Sequence, residues 1–372
     1  MSTTSKNNET DGDIAKSVFI SQSNNVFSNL ALEDWMYRNL NFTQHHVMLL
    51  WRNDPCVVIG RHQNPWLEAN IQVLAERGVV LSRRNSGGGT VYHDKGNLNV
   101  TFFAPRERYN RKQNLQLIAK SLEREWNLNP QINKREDIIL DSNYKISGTA
   151  SKLGRPNSYH HCTLLVNVNK DRLSEALHKN GDKGIITNAT QSIPSPTVNL
   201  SEVHSGVSME RLMTALGWEY LRTAPVSQQD AGWPFVSKQR GFQLINPTDE
   251  WFPGLEKIKE EFESWDWVYG RTPSFKVRQM LNIGNSQLTF VVEVDKGVVL
   301  DVSLELPPGT SWGGDSGSST DNQVKVVSSV RGQRYTEDLL KVLERAVRQQ
   351  APGFLAHLHR NASPLSAAAS AR

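Results

Sequence analysis

Arg83-Arg84-Asn85-Ser86-Gly87-Gly88-Gly89-Thr90-Val91-Tyr92-His93-Asp94 is the stretch on which the reading of this chain turns. Three consecutive glycines stand between a strand candidate ending at Arg84 and another beginning at Leu98. Glycine adopts positive φ at no steric cost and has no Cβ, so such a loop lets the backbone close on a ligand. Successive amides in a turn of this kind form an anion-binding nest, and the two arginines supply paired charge. The combination suits a phosphate or an acyl phosphate. It is not a Walker loop, because no Gly-Lys-[Ser/Thr] follows, and it lacks the G-x-G-x-x-G spacing of a dinucleotide fold. A glycine-rich structural turn is the plain alternative, and the polar cluster Tyr92-His93-Asp94 weighs against it.

Outward from the loop, residues 27–40 place Leu30, Ala31, Trp35 and Met36 at helical spacing. Val47, Leu49 and Trp51 alternate like a strand, and Asn53-Asp54-Pro55 turns into a second run at 56–59, a hairpin by pattern. A helix over 66–77 ends at Gly78, a favoured stop. An amphipathic helix is expected over 114–126, a hairpin over 137–147, a long strand over 159–168, and helices near 171–178 and 209–221. Many strands joined by short connections predict an α/β chain of the α+β kind, a mixed sheet packed with helices. Pro247, Pro253, Gly254 and Gly270 punctuate a boundary. The expected organisation is a disordered segment at 1–17, a catalytic domain at 18–246, a linker at 247–272, a small C-terminal α+β domain at 273–352 and a tail at 353–372. Within the small domain, three strands form a meander before a Gly/Ser/Asp loop at 307–322.

The chain has 372 residues, with 42 Lys+Arg against 38 Asp+Glu, a formal charge of +4. That is weak for a nucleic-acid binder and suits an acidic protein partner at least as well. No apolar run approaches the ~20 residues of a membrane span. Two cysteines, Cys56 and Cys162, are too few for a disulfide scaffold or a Cys-rich zinc site, and no His/Cys set stands at zinc spacing, so no structural metal is expected. In Lys145-Ile146-Ser147-Gly148-Thr149-Ala150-Ser151-Lys152 a lysine alternates with apolar residues before small hydroxyl residues. Such a lysine can hold a phosphate and polarise a carbonyl, with Arg135 as a second cation; taken alone, a strand lysine is more often a solvated surface charge. In Tyr159-His160-His161-Cys162-Thr163-Leu164-Leu165 the adjacent histidines face opposite sides of a strand and make poor joint metal ligands.

These residues carry a resemblance. The run 83–97, with Ile59-Gly60-Arg61-His62-Gln63-Asn64-Pro65-Trp66 before it and Lys145–Ala150 after it, resembles the signature of lipoate–protein ligases and lipoyltransferases. Further blocks at 159–165, 188–190, 192–195, 245–250 and 267–275 are similar to the animal mitochondrial lipoyltransferases. The likeness runs from about residue 18 to 280.

The resemblance implies a biotin/lipoate protein ligase-like catalytic domain with a small C-terminal domain. It implies lipoyl transfer from lipoyl-AMP, or a lipoylated carrier, to one lysine of an acidic lipoyl domain, in 2-oxoacid dehydrogenase E2 subunits or the glycine-cleavage H protein. Lys145 would be catalytic, contacting the acyl carbonyl and the α-phosphate. Arg83, Gly88, Gly89, Tyr92, Arg135, Thr163, Asn188, Ala189 and Thr190 would join it in binding lipoyl-AMP, with an apolar tunnel from residues near 57–59, 91 and 164–166. Asn85 stands where some members carry a third basic residue, so the reading leans to transfer; a complete ATP-dependent ligase, using ATP and Mg, is the alternative, and a non-catalytic acyl-adenylate or lipoyl-domain binding protein is a third. If Thr163 faces the adenylate, alternation turns Cys162 away, which makes it a structural cysteine. The expected protein is monomeric, engages neither nucleic acid nor membrane, and works in the mitochondrial matrix. Its first seventeen residues hold three acids and no arginine, unlike a presequence, so the natural presequence is expected to be atypical or missing from this chain.

Overall fold

A computed structural model describes residues 11–141, 143–179, 181–283, 286–305, 323–325 and 330–345. The loop expected at 307–322 and the tail at 353–372 lie outside the described residues. The chain divides into two compact units, 1–179 with 190–268, and 180–189 with 269–372.

The large unit is built on a six-stranded mixed sheet. Its spatial order is Thr149–Leu153, Asn157–Leu165, Asn97–Pro105, His45–Trp51, Ala15–Ser21 and Gly241–Ile245. The last three run parallel to one another and the remaining pairings are antiparallel. On one face Val18, Met48, Leu50, Val100, Cys162 and Leu164 form a single apolar core with the helices Arg111–Trp126 and Met209–Arg222. The first of these helices starts at Asn110, whose side chain accepts from the Gln113 amide at 3.1 Å. The opposite face carries Trp51, Asn99, Thr101, His161 and Thr163, the other parity of the same strands. A smaller sheet orders Val80–Arg83, Cys56–Ile59 and Val91–His93, and the glycine loop leaves its first strand and returns on its third.

Two expectations are corrected. Residues 47–51 and 56–59 do not form a hairpin; they belong to different sheets. The corner between them is fixed by Asn53, fully buried and hydrogen-bonded to Asn29 and to His93 Nδ1. Residues 11–17, expected as part of a disordered segment, hold a 3-10 turn at Asp11–Asp13 and the start of an inner strand. Polar Lys16 and Ser17 are buried because they are satisfied. The Lys16 ammonium donates to the carbonyls of Tyr220 and Thr223 at the C-terminal end of a helix, where a cation meets the negative end of the helix dipole.

The small unit is an antiparallel sheet ordered Ile185–Thr187, Phe275–Ile283, Ser286–Asp295, Val298–Glu305 and Gln323–Lys325. Lys296 and Gly297 both take positive φ, 49° and 73°, as the tight turn between its third and fourth strands demands.

Candidate functional site

Two confluent cavities open in the large unit beside the glycine loop. One, of about 250 Å³, has Leu30, Trp51, Val58 and Val91 on its apolar walls and Arg111, Arg135 and Asp137 on its polar side. The other, of about 530 Å³, is walled by Tyr92, Leu165, Leu173, Leu177 and Pro194, with Asn97 at its side. Lys145, Gly148, Thr163 and Ser192 line both. Lys145 therefore stands at their junction.

The short strand Tyr144–Lys145 is held from two sides. It pairs with Ile138–Leu140, and the Lys145 amide donates to the Pro196 carbonyl at 2.9 Å. The Lys145 ammonium meets Asp137 Oδ1 at 2.7 Å, and Asp137 is 5% exposed. The backbone amides of Arg135 and Asp137 both donate to Asn133 Oδ1, a local turn that sets the acid opposite the lysine. Thr163 sits on the long strand with its hydroxyl accepting from the Gly148 amide at 2.9 Å.

Beside this junction the glycine loop is tied down by side chains. Arg84 donates to Ser86 Oγ and to the carbonyls of Gly87, Gly89 and Val58. A buried chain then runs to the central sheet: Ser86 Oγ to His161 Nε2 at 2.8 Å, His161 Nδ1 to Glu33 at 2.8 Å, and the Thr101 hydroxyl donating to Glu33 at 2.7 Å. Trp51 Nε1 donates to that same hydroxyl at 3.0 Å. On the other side Gln63 Oε1 accepts from the Gly60 amide and the Thr90 hydroxyl, while its Nε2 donates to Ser192 Oγ at 3.0 Å. Gly88 has φ +90°, and a Cβ on Gly60 would lie 2.1 Å from the Gly88 carbonyl oxygen, so both positions need glycine.

The structure gathers Lys145, Tyr92, Arg135, Thr163 and Gly89 around the two cavities. Gly88 lines a neighbouring open groove instead. Arg83 is not on either cavity. Its guanidinium is fully buried and is spent on the carbonyls of Gly60, Arg61, Gln63 and Val268; adjacent strand residues face opposite ways, and Arg84 takes the cavity side. Of Asn188, Ala189 and Thr190, the first two group with the small unit, and the Thr190 amide is bound to the His62 carbonyl. Gln191, Ser192 and Ile193 line the first cavity. Asn85 is 6% exposed, donating to Asp34 and accepting from Arg61. Of the expected tunnel residues, Val58, Val91 and Leu165 reach a cavity, while Leu164 and Val166 belong to the core. Cys162 borders the first cavity, but its side chain packs in the helix-covered core, where burial raises its thiol far above the usual range.

Sequence reasoning missed Glu33, Asp137 and Ser192; it named Arg84 only as half of a charged pair and weighed His161 only as a metal ligand. The available signal for Glu33 was a Glu-Asp pair inside an apolar helical repeat. Burial also sets the charges here. It pulls Arg84 down to about 10, leaving it cationic at neutral pH, and takes His93 to about 3, leaving it neutral. It pushes Tyr92 up to about 12, so that phenol keeps its proton. Fixed cations beside an apolar chamber can hold an anionic acyl ester and stabilise an oxyanion. Among the described residues no three His, Cys, Asp or Glu side chains are grouped to hold a metal ion, and no helix is long and apolar enough to cross a membrane.

Residues 25–220 match the lipoyl protein ligase A/B catalytic domain family. Over 291 residues, 77% of this chain and 74% of the relative, the sequence is 41% identical to the mitochondrial lipoyl amidotransferase LIPT1 of Homo sapiens. The protein of the same name from Mus musculus is 45% identical over 274 residues, 73% of this chain and 70% of that one. Among solved structures, P. falciparum LipL1 in complex with lipoate superposes with a TM-score of 0.58 at 27% identity, covering 78% of this chain and 84% of that chain.

Proposed function

The chain belongs to the lipoyl protein ligase A/B catalytic domain family, and from that premise we propose that it moves a lipoyl group from lipoyl-AMP to one lysine of an apo lipoyl domain. It is an acyltransferase acting in protein lipoylation. E2 subunits of 2-oxoacid dehydrogenases and the glycine-cleavage H protein are the acceptors, and a lipoylated carrier is a second donor. The mitochondrial names of the two amidotransferases support a matrix location.

The observation that carries the reading is Lys145 at the meeting point of two cavities, one for each half of a mixed anhydride. The lipoyl tail fits between Leu30, Trp51, Val58 and Val91. The adenylate fits the second cavity, where Asn97 Oδ1 is buried without a hydrogen-bond partner among the described residues. An unpaired buried acceptor costs about 1–3 kcal/mol, and the exocyclic amine of adenine is a donor that would relieve it; a lipoyl tail has none. Tyr92, with its proton retained, offers that base an aromatic wall.

An acyl-adenylate is already activated, so the work left is positioning and charge stabilisation. The acceptor amine, once deprotonated, attacks the acyl carbon. The new C–N bond forms as the bond from that carbon to the phosphate oxygen breaks, AMP leaves with the electron pair, and the nitrogen releases a proton. The Lys145 ammonium, steadied by Asp137, faces the charge that grows on the carbonyl and phosphate oxygens, with Arg135 on the same wall. The test is intact-mass spectrometry of an apo lipoyl domain with lipoyl-AMP, with and without the protein. A lipoyl increment that requires the protein is expected, and its absence overturns the reading. Replacing lipoyl-AMP by lipoate and ATP separates transferase from complete ligase.

A further inference from the structure

Neither cavity admits a folded acceptor, so a protein lysine must reach the acyl carbon from an outer face. An open groove of about 680 Å³ meets the first cavity along a shared wall of Arg111, Thr149 and Ala150. Its inner end is the Gly87-Gly88 apex of the glycine loop. Leu153, 52% exposed, and partly buried Tyr109 line it as well. Residues 109–112 and Glu136 line it, and the Arg106 guanidinium lies over the Tyr109 ring; the segments these residues belong to, 106–112 and 134–136, hold six Lys/Arg against two Glu, an excess equal to the +4 of the entire chain. Of these, Arg106, Lys112, Lys134 and Arg135 are exposed, while Arg111 and Glu136 pair with each other. The other way in, past Leu173, Leu177 and Lys179, sets Lys179 against Glu68 and carries no such excess.

We propose that this groove is the acceptor's docking surface, taking a small acidic domain on its cationic rim and guiding one lysine past Gly87-Gly88 to the first cavity. The inference rests on the transferase reading for the identity of the cargo. An exposed apolar anchor ringed by charge is the anatomy of a transient interface. Complementary rim charges act mainly on association, so their effect weakens with salt. Arg135 belongs to both the cavity and the rim; Arg106, Lys112 and Leu153 belong to the rim and groove alone.

The experiment compares the full chain with Arg106→Glu/Lys112→Glu, with Leu153→Asp, and with Lys238→Glu/Lys257→Glu, the same charge change on exposed residues elsewhere. Three quantities are read: steady-state transfer against apo lipoyl domain concentration at two salt concentrations, calorimetric binding of lipoyl-AMP, and calorimetric binding of the apo lipoyl domain. The rim and anchor variants are expected to raise the KM for the acceptor about tenfold, with kcat within threefold and lipoyl-AMP affinity unchanged. The rim variant should also lose the salt dependence seen in the parent, and the control pair should leave all three quantities in place. Unchanged acceptor KM and affinity in both the rim and the anchor variants would overturn the docking surface. A parent that binds the apo domain through this rim yet transfers nothing overturns the transferase reading and leaves the groove standing.

Discussion

Removing the Lys145 ammonium does two things at once. It withdraws the cation at the junction, and it leaves the Asp137 carboxyl, 5% exposed, without its 2.7 Å partner. Lys145→Ala is therefore expected to cut transfer about 10²–10³-fold and to lower the melting temperature as well. Lys145→Ala/Asp137→Asn should recover the melting temperature but not the activity, which separates chemistry from folding. Transfer within threefold of the parent in Lys145→Ala would refute the role. Cys162→Ser should retain most of the rate, with no hydroxylamine-sensitive lipoyl adduct in intact-mass spectra. It should lose about 1–3 kcal/mol of stability, because a hydroxyl then sits in an apolar core. At this scale Lys145, Tyr92 and Thr163 were named through the motifs that carry the resemblance, and all three line the cavities. The sequence was not legible where two identical neighbours compete. Arg83 and Arg84 differ only in which way the strand turns them: one guanidinium meets the Val268 carbonyl, 185 residues on, and the other the Gly87 and Gly89 carbonyls of the adjoining loop.

Between elements, the close approach of residue 60 to the loop sets the geometry of the site. A methyl on Gly60 would lie 2.1 Å from the Gly88 oxygen and 3.3 Å from an Arg84 nitrogen, so the loop must move. Gly60→Ala is expected to reduce transfer at least about tenfold, since positional errors near 1 Å at a reacting centre carry such penalties. Gly78 supplies the comparison. Its φ is +64° with no heavy atom within 4 Å of an added Cβ, so Gly78→Ala should cost stability, about 1 kcal/mol, and leave transfer alone. Equal rates for the two variants would refute the loop's role. The helices and the meander could be read from periodicity because that signal is local. The failed hairpin at 47–59 could not, because Asn53 decides it through His93, forty residues away.

For the molecule as a whole, buried neutral histidines set the acid limit. Burial takes His46 and His93 from 6.5 to about 3, and holds His160 well below its usual value. The unfolded chain binds these protons near pH 6.5 and the folded one does not, so the stabilisation is complete above 6.5 and is lost as pH falls toward 3. Each histidine should cost roughly 1 kcal/mol between pH 6.5 and 5.5, so the urea midpoint is expected to drop clearly over that unit. A flat midpoint would show that these side chains are not held neutral. The inner strand at 15–21 was hidden from hydropathy for a related reason, since its buried Lys16 is paid for by carbonyls two hundred residues on.

The small unit draws its first strand, Ile185–Thr187, from the middle of the chain and the rest from beyond Tyr269. A unit assembled from two separated stretches is not removed whole by a single cut in the chain. A truncation after residue 268 would leave that strand without its partner Phe275–Ile283, only five residues before Ser192 at the cavity wall.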